Sequence, residues 1–337
     1  MPSKNFRPNA DAGKARLTRR RLVQGAAALP VIASPALALA RQLPVATAPS
    51  YYAFKIGRFD ALSVSDGALP ISPLLPTFGT NAEEASLGAL AETRSLNEQS
   101  ALLHMNHLVV DTGGSLILVD PGGRAEMGPT MGFLPQNLKA AGINPADIDK
   151  IVITHGHPDH VMATVNPDGS LAFPNAEYFI SAAEWEFWAD ETPDLRGMQM
   201  PDDFKAFTLG VAQSSLGAIG KRVTMVQGDD EIASGVYAIQ TPGHTPGHMS
   251  LLIDGGDEQL IHMTDVVHHH VTSLAHPEWT PAFDLQPELG TQSRSRLLGQ
   301  LATDRTLALA YHFPFPGLGY VTRRRQGYGW EPAVWSW

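Results

Sequence analysis

The stretch between residues 151 and 160 holds the side chains of this chain that are best suited to chemistry. It reads Ile151-Val-Ile-Thr-His-Gly-His-Pro-Asp-His160, so three imidazoles and a carboxylate fall within six residues. The β-branched run at its start predicts the end of a buried strand. Because Gly156 and Pro158 disfavour a regular helix or strand, we expect the polar residues after the strand to lie on a tight loop. These residues are His155, His157, Asp159 and His160.

This cluster predicts a metal site, because three adjacent imidazoles have little purpose without a cation between them. On a loop, His155 and His157 can reach one ion while Asp159 and His160 reach another. Imidazole and carboxylate together suit Zn²⁺, Mn²⁺, Co²⁺ or Fe²⁺. The chain contains no cysteine, so its metal ligands must be His, Asp or Glu. The alternative is a polar turn in which the histidines only form hydrogen bonds.

Three later stretches carry further candidate ligands, and each follows a predicted strand. His244 and His248 lie in Thr241-Pro-Gly-His-Thr-Pro-Gly-His248, a turn with two Pro-Gly pairs. Asp265 ends the apolar run that includes Met263, and His312 follows Ala310-Tyr311. Donors at the ends of separate strands can converge on one edge of a sheet.

The elements that would position these residues form two runs of strands, each closed by helices. This order predicts one α/β domain over residues 51–337, with two mixed β-sheets face to face and helices outside. Residues 190–205 are rich in proline and acidic residues and predict a mobile loop. The predicted strands are a hairpin at 51–66, then 107–111, 115–120, 148–154, 177–180, 223–226, 236–241, 249–253, 259–263 and a last strand at 307–311. The predicted helices are 82–94, 133–141, 182–189 and 287–303.

The first 40 residues have the pattern of a twin-arginine export signal. Paired arginines at 18–23 precede an apolar run at 25–40 that ends in Ala38-Leu39-Ala40. A membrane anchor and a disordered basic tail are the alternatives, but the run is short and contains two prolines. We therefore expect cleavage after Ala40, a linker at 41–50, no stable membrane insertion, and a periplasmic or secreted mature protein.

The charge of the mature chain disfavours a nucleic-acid partner. Residues 1–40 contain seven of the 24 basic residues and one of the 34 acidic residues. The remainder, with 17 basic and 33 acidic residues, has a formal net charge of −16. A body this acidic repels polyanions, whereas it places no restriction on a neutral small-molecule substrate.

The combined motifs resemble the metallo-β-lactamase superfamily: His-x-His-x-Asp-His, then Thr-Pro-Gly-His twice, a strand-end Asp and a late His. More narrowly, the chain is similar to the methyl parathion hydrolase and lactonase-like branch. That similarity lies at Tyr51-Tyr52, 59–67, 118–122 and 315–319. The resemblance covers about residues 51–330 and implies an αββα sandwich with two divalent ions, preferably zinc, on one edge. It also suggests a homodimer.

The resemblance also implies a role for each ligand. The first ion would take His155, His157 and His244, and the second Asp159, His160 and His312. Asp265 would bridge them, with a water or hydroxide between the ions, so that Asp159 and Asp265 are the catalytic carboxylates. Asp120 resembles the outer carboxylate that orients a ligand histidine, although it could equally cap the following turn.

Other histidines and aromatic residues receive less direct assignments. His248 is expected to brace its turn by a hydrogen bond rather than bind metal. The run at 268–270 could line the site or be solvated. Trp188 and Phe204 match aromatic pocket positions of the branch, and Met127 stands where the branch has a third aromatic residue. An apolar pocket suits a neutral, hydrophobic substrate.

The function predicted from these features is hydrolysis by a metal-bridging hydroxide. The expected substrate is a lactone or carboxyl ester, with phosphotriester hydrolysis as a side activity. An organophosphate hydrolase is the main alternative, and Met127 puts it in doubt. A β-lactamase is disfavoured by the bridging role of Asp265. A mononuclear iron dioxygenase would need fewer ligands than this chain carries, and a binding-only relative would be expected to have lost some.

Overall fold

The computed structural model describes residues 50–94, 96–97 and 99–334, all within one compact unit. The predicted export signal at 1–40 and all but the last residue of the linker lie outside the described residues. The predicted fold class is confirmed. Two mixed sheets of seven strands each share a common core, and helices pack on their outer faces.

The first sheet contains its strands in chain order. The strands β1 (Tyr51–Ile56) and β2 (Phe59–Ile71) pair through the turn at Gly57-Arg58, so the predicted hairpin is confirmed. Pairing is antiparallel from β1 to β4 and parallel from β4 to β7. The strands are β1 (Tyr51–Ile56), β2 (Phe59–Ile71), β3 (Ala101–Asp111), β4 (Leu116–Val119), β5 (Lys150–Ile153), β6 (Glu177–Ser181) and β7 (Val223–Val226).

The second sheet has the order β14-β13-β12-β11-β10-β9-β8. Its pairs are antiparallel except for β11 and β12, which run parallel. The strands are β8 (Glu231–Ala233), β9 (Val236–Gln240), β10 (Met249–Asp254), β11 (Gln259–His262), β12 (Leu307–Leu309), β13 (Leu318–Arg323) and β14 (Tyr328–Pro332).

Among the described residues, three helices carry proline in their first turn, where the missing N–H costs nothing. The helices are α1 (Glu84–Arg94), α2 (Leu134–Ala140), α3 (Pro158–Val161), α4 (Ala182–Ala189), α5 (Asp202–Ile219), α6 (Thr272–Ala275) and α7 (Pro287–Asp304). None of the helices among the described residues combines the length and apolar character needed to cross a membrane.

Successive side chains along a strand point to opposite faces of its sheet, so alternate residues pack in different layers. In β3, Leu108 and Val110 face the core between the sheets, whereas Val109 faces the helical layer. That outer layer buries Ala212 and Leu216 of α5 against the first sheet. Leucines of α7 pack in the same way against the second sheet.

The strand directions bring every predicted ligand segment to one edge of the sandwich. In the first sheet, the parallel strands β4 and β5 end just before Asp120 and His155. In the second sheet, β9, β11 and β12 run in the same direction and end before His244, Asp265 and His312. The convergence of strand ends expected from the sequence therefore occurs.

Three secondary-structure predictions were wrong. Asp159 and His160 lie in the one-turn helix α3 rather than a loop, because Pro158 occupies the position where proline starts a helix. The loop predicted at 190–205 ends at Pro201, since α5 begins at Asp202 with two aspartates in its first turn. The strand at 307–309 is followed by β13 and β14, so it is not the last.

The turn between β10 and β11 packs against the turn between β1 and β2 so closely that only glycine fits at position 255. A Cβ atom on Gly255 would lie 1.8 Å from the carbonyl oxygen of Ile56. We expect Gly255→Ala to lower the free energy of unfolding by about 1–3 kcal/mol, the usual cost of overpacking. Denaturant unfolding of the purified protein measures this change.

The matched control is Gly210→Ala on the exposed face of α5, where a Cβ would meet nothing within 4 Å. This substitution should raise the free energy of unfolding by about 0.5–1 kcal/mol, because alanine loses less backbone entropy in a helix. Equal effects of the two substitutions would contradict the packing of the two turns.

Candidate metal centre

The first group of candidate ligands is formed by three buried histidines from two turns. His155 and His157 follow β5, and His244 lies in the turn between β9 and β10. Their ligand nitrogens all lie within 4.8 Å of one another. Gly156 separates the first two, and a Cβ at this position would lie 2.3 Å from Nε1 of Trp188. Glycine is therefore needed for this turn to pack on α4.

The second group contains Asp159 and His160 from α3, Asp265 after β11 and His312 after β12. Nε2 of His160 lies 3.4 Å from Oδ2 of Asp159. Nε2 of His312 lies 3.0 Å from Oδ2 of Asp265. Two carboxylates and two imidazoles thus face one point.

Asp265 belongs to both groups by distance. Its Oδ2 is 3.5 Å from Nε2 of His244 and 3.9 Å from Nε2 of His155. Its Oδ1 is 3.2 Å from Nε2 of His160. The structure thus brings together all seven residues that the sequence analysis assigned as ligands, with Asp265 between the two sets.

The hydrogen bonding of these residues fits two divalent ions. Nε2 of His155, His157, His160 and His244 and Oδ1 of Asp265 are buried and have no hydrogen-bond partner. An unpaired buried polar atom costs about 1–3 kcal/mol, so a group of them facing a common centre would be unstable without a ligand. Nitrogen and carboxylate oxygen donors suit ions such as Zn²⁺. The two groups therefore support a two-metal centre.

The opposite ring nitrogens are held by outer partners, which fixes the orientation of each ring. Nδ1 of His160 is 2.8 Å from Oδ2 of Asp120, and Nδ1 of His244 is 2.8 Å from Oδ1 of Asp284. Nδ1 of His312 is 3.0 Å from the carbonyl oxygen of His104. With Nδ1 donating to these acceptors, Nε2 keeps its lone pair for a metal ion.

Asp120 lies behind His160, and its carboxylate binds the turn after β5 rather than the turn that follows Asp120 itself. Its Oδ2 is bonded to His160, and its two oxygens also accept from the backbone N–H and the hydroxyl of Thr154, each at 2.8 Å. The residue has a left-handed backbone, with φ of 59°. This uncommon conformation turns its carboxylate beneath the metal-binding turn.

The charges of the centre favour cations. Burial lowers the pKa of His155 and His157, and neighbouring imidazoles lower it further, so both rings are neutral near pH 7. Burial alone would raise the pKa of Asp265, but His312 and His160 hold it well below its ordinary value. At His160, Asp265 and Asp159 outweigh burial and raise the pKa well above its ordinary value. The carboxylates thus create a negative potential that would attract metal ions.

His248 lies beside the centre but outside both ligand groups. Its Nδ1 faces the carbonyl oxygen of Thr241 at 3.0 Å. Its Nε2 lies 2.8 Å from the hydroxyl of Thr264 and accepts the backbone N–H of Asp265 at 3.2 Å. His248 therefore braces its turn against the segment that carries Asp265.

Four buried residues near the centre were missed by the sequence analysis. Asp284 binds His244 and also accepts from Nη2 of the buried Arg294 at 3.1 Å. Tyr311 donates its hydroxyl to the carbonyl oxygen of Asp159. Glu184 bonds both metal-binding turns. Tyr311 lies next to the predicted ligand His312, whereas Asp284 and Arg294 lie outside every motif. Glu184 offered only the weak signal of an acid among aromatic residues on α4.

An apolar cavity opens above the centre. Met127 and Phe204, two of the predicted pocket residues, lie in its wall. Trp188 does not: it is fully buried behind His157, and its Nε1 donates to Glu184 at 2.6 Å. The Trp188 assignment fails because residues 184 and 188 form one turn of α4, which points this indole towards the metal-binding turn. The other walls are Leu69, Ile71, Leu103, Met105, Pro158 and Phe283, with His157, Asp159, His244, Asp265, His268 and His312 also lining the cavity.

Of the three consecutive histidines, His268 reaches this cavity. Its Nε2 lies 3.4 Å from Oδ2 of Asp265, and its ring stacks between Phe283 and His312. Both of its ring nitrogens are buried without a hydrogen-bond partner. His269 is also buried and His270 is partly buried, so the solvated alternative does not hold for this run.

Comparison with protein families supports this description. A sequence model of the family described as the metallo-beta-lactamase superfamily matches residues 106–312. An N-acyl homoserine lactonase from Bacillus cereus is 27% identical over 176 residues, which is 52% of this chain and 60% of that protein. The AttM lactonase from Rhizobium radiobacter is 31% identical over 159 residues, or 44% and 55%. The match thus spans less than two thirds of these relatives.

Two solved structures cover more of the chain. AidC, described as a dizinc quorum-quenching lactonase in complex with a product, has a TM-score of 0.80 and 28% identity. The hydrolase AbOPH of the beta lactamase superfamily has a TM-score of 0.76 and 29% identity. Each similarity covers 85% of this chain and 98% of the other. Homologues of this chain are therefore metal-dependent hydrolases.

The position of Asp265 between the two groups makes it the most sensitive ligand. Asp265→Ala should reduce bound metal below two ions per chain and lower hydrolytic activity by orders of magnitude, because it removes a donor from both groups. Metal analysis of the purified variant, together with turnover of the best substrate, measures both effects. Near-normal turnover with two bound ions would contradict the bridging position.

His248→Ala provides the contrast, because His248 is hydrogen-bonded to the backbone of Asp265 but lies outside both groups. This variant should keep two ions per chain, although we expect lower stability from the loss of its hydrogen bonds. Loss of one ion would show that the wrong histidine of this turn has been assigned as the ligand.

Proposed function

The chain belongs to the metallo-beta-lactamase superfamily, and we propose that it hydrolyses neutral lactones that carry an apolar acyl chain. N-acyl homoserine lactones are the substrate class that we propose first, and simple carboxyl esters the next. The main support for this proposal is a set of ligands for two metal ions at the base of an apolar cavity. The similarity to AidC, a dizinc lactonase, supports the same proposal.

The charge of the cavity supports a neutral substrate. No lysine or arginine is among the described residues that line it, and its charged groups are the carboxylates Asp159 and Asp265. An anionic group placed against these walls, away from the ions, would lose its hydration without gaining a cationic side chain, which is costly in an apolar site. The part of the substrate that lies against the walls is therefore expected to be neutral.

Different residues of the chain would bind the first ion, the second ion and the substrate. His155, His157 and His244 would hold the first ion, and Asp159, His160 and His312 the second, with Asp265 between them. When bound, two such ions supply a hydroxide near neutral pH and polarise the carbonyl oxygen of the substrate. Phe204 and Phe283 would bind the acyl chain and exclude water. His268 offers the cavity an imidazole that can hydrogen-bond to a polar atom of the substrate.

We propose zinc as the metal, with Mn²⁺, Co²⁺ or Fe²⁺ as the other ions that this donor set accepts. The dizinc description of AidC supports this choice. We also propose export by the twin-arginine route, which rests on the sequence pattern of residues 1–40 alone. Fractionation of cells that express the full chain would test that location.

The first experiment is a substrate panel on the metal-replete protein that starts at Arg41. The panel contains short- and long-chain acyl homoserine lactones, an aryl lactone, an aryl ester, a phosphotriester, a phosphodiester and a β-lactam. Metal content is measured on the same sample. We expect two ions per chain and the highest kcat/KM on a long-chain lactone.

Other results would point elsewhere. Preferential phosphotriester turnover would replace the proposal with an organophosphate hydrolase. Turnover of none of these compounds, together with one bound iron per chain, would favour a dioxygenase of the same fold. Selective ester turnover would keep the metal chemistry and reject the lactone.

The apolar wall of the cavity should make binding depend on the length of the substrate's acyl chain. Phe204 lines the cavity and packs against Phe283, with ring centroids 6.1 Å apart. Phe204→Ala should raise KM about 10-fold for a long-chain lactone, because an apolar contact of about 1–2 kcal/mol is lost. KM for a short-chain lactone should change much less.

Phe207 supplies the control, since it lies on the same helix but is 40% exposed. Phe207→Ala should leave both KM values unchanged. If Phe204→Ala changed the two lactones equally, the acyl chain would not bind against this wall.

A further inference from the structure

The buried carboxylate of Glu184 connects the two turns that carry the first group of histidines. Its Oε1 accepts hydrogen bonds from the backbone N–H of Gly156 at 2.8 Å and from Nε1 of Trp188 at 2.6 Å. Its Oε2 accepts from the hydroxyl of Thr245 at 2.6 Å and from the backbone N–H of Gly247 at 2.9 Å. Gly156 lies between His155 and His157, and Thr245 follows His244.

Both turns pack on α4 with no space for a side chain. A Cβ on Gly247 would lie 2.1 Å from the backbone nitrogen of Glu184. At Gly156 the same atom would meet the indole of Trp188, whose ring packs edge-on against His157 with centroids 6.1 Å apart. Close packing prevents the turns from approaching α4, and the carboxylate prevents them from moving away.

We propose that Glu184 is a positioning residue for the first metal ion. One carboxylate sets the separation of the turns at 155–157 and 244–247, so that three Nε2 atoms from different parts of the chain converge. The residue is fully buried and does not line the cavity. Because each of its oxygens already accepts two hydrogen bonds, it acts through the turns rather than on the ion or the substrate.

The four donors around this side chain require a carboxylate at position 184. Four donors surround it, and a carboxylate offers only acceptors. A glutamine of the same shape has one acceptor oxygen and one NH₂ group, so its NH₂ would face two of those donors. The hydroxyl of Thr245 can rotate and accept instead, whereas the N–H of Gly247 cannot. We therefore expect the NH₂ group to face this side and to displace the turn that carries His244.

The second ion should be affected much less. The outer partners of its ligands are Asp120 behind His160, the carbonyl oxygen of His104 behind His312, and Tyr311 against the backbone of Asp159. Among the described residues, the hydrogen-bond partners of Glu184 are Gly156, Trp188, Thr245 and Gly247, which include none of these outer partners. A selective effect on one of two neighbouring ions is therefore the signature of a positioning role.

The test compares Glu184→Gln with Glu186→Gln, a change on the exposed face of the same helix. Zinc affinity is measured stepwise by chelator competition, and anomalous scattering at the zinc edge reports occupancy of each position in crystals. Glu184→Gln should weaken the first ion by at least about 10-fold, in the range seen for outer partners of metal ligands. The second ion should stay within about twofold, and Glu186→Gln should match the wild type.

Two results would overturn the proposal: wild-type affinity for both ions in Glu184→Gln, or equal weakening of both. If this variant does not fold, Thr245→Val takes its place, since it removes one donor to Oε2 at constant size. It should weaken the first ion selectively by several-fold, and unchanged affinity would overturn the proposal. The inference rests on the two-ion centre but not on the substrate. A wild-type protein that binds no ions or hydrolyses no lactone would instead contradict the proposed function.

Discussion

The metal centre depends on the contacts between one buried carboxylate, that of Asp265, and the imidazoles around it. Asp265 lies within 4 Å of ring nitrogens of His155, His160, His244, His268 and His312. Removing a carboxylate from water costs several kcal/mol unless a positive charge compensates it. Its backbone is fixed accordingly: Thr264 before it has a left-handed conformation with φ of 48°, and His248 accepts its N–H. Keeping Asp265 between the two groups of ligands therefore requires a strained backbone and a desolvated charge.

Neither sheet can form this centre alone. The first sheet supplies the ligands between 155 and 160, whereas His244, Asp265 and His312 follow strands of the second. Polar contacts hold the two sheets together close to the centre: Asn106 of β3 donates to the carbonyl oxygens of Ala310 and Phe313, and Ser63 of β2 donates to that of Pro316. These bonds fix the segment that carries His312 against the first sheet. Metal geometry therefore depends on packing of the whole sandwich.

The sequence predicted those features that depend on local spacing. The hairpin at Gly57-Arg58, the strand before His155 and the seven ligand candidates all depend on short patterns, and the structure brings those candidates together. The outer partners depend on contacts distant in sequence: Asp284 is 40 residues from His244, and Glu184 is 28 from Gly156. Trp188 was misassigned because an aromatic residue on a helix has the same pattern whether it faces a cavity or a metal-binding turn. The helix α5 was missed because the preceding proline- and acid-rich residues suggested a longer loop.

The arrangement separates metal binding from substrate choice. The carboxylates that orient the ligands, Asp120, Glu184 and Asp284, lie behind the histidines, and none of them lines the cavity. The apolar walls come instead from β2, β3, α5, the segment before α7, and Met127 and Pro158 in the segments after β4 and β5. A substitution in a wall residue such as Met127 changes the shape of the cavity without removing a hydrogen bond from the ligand set. The walls of the cavity can therefore change which substrate reaches the metal centre while the ligand set stays the same.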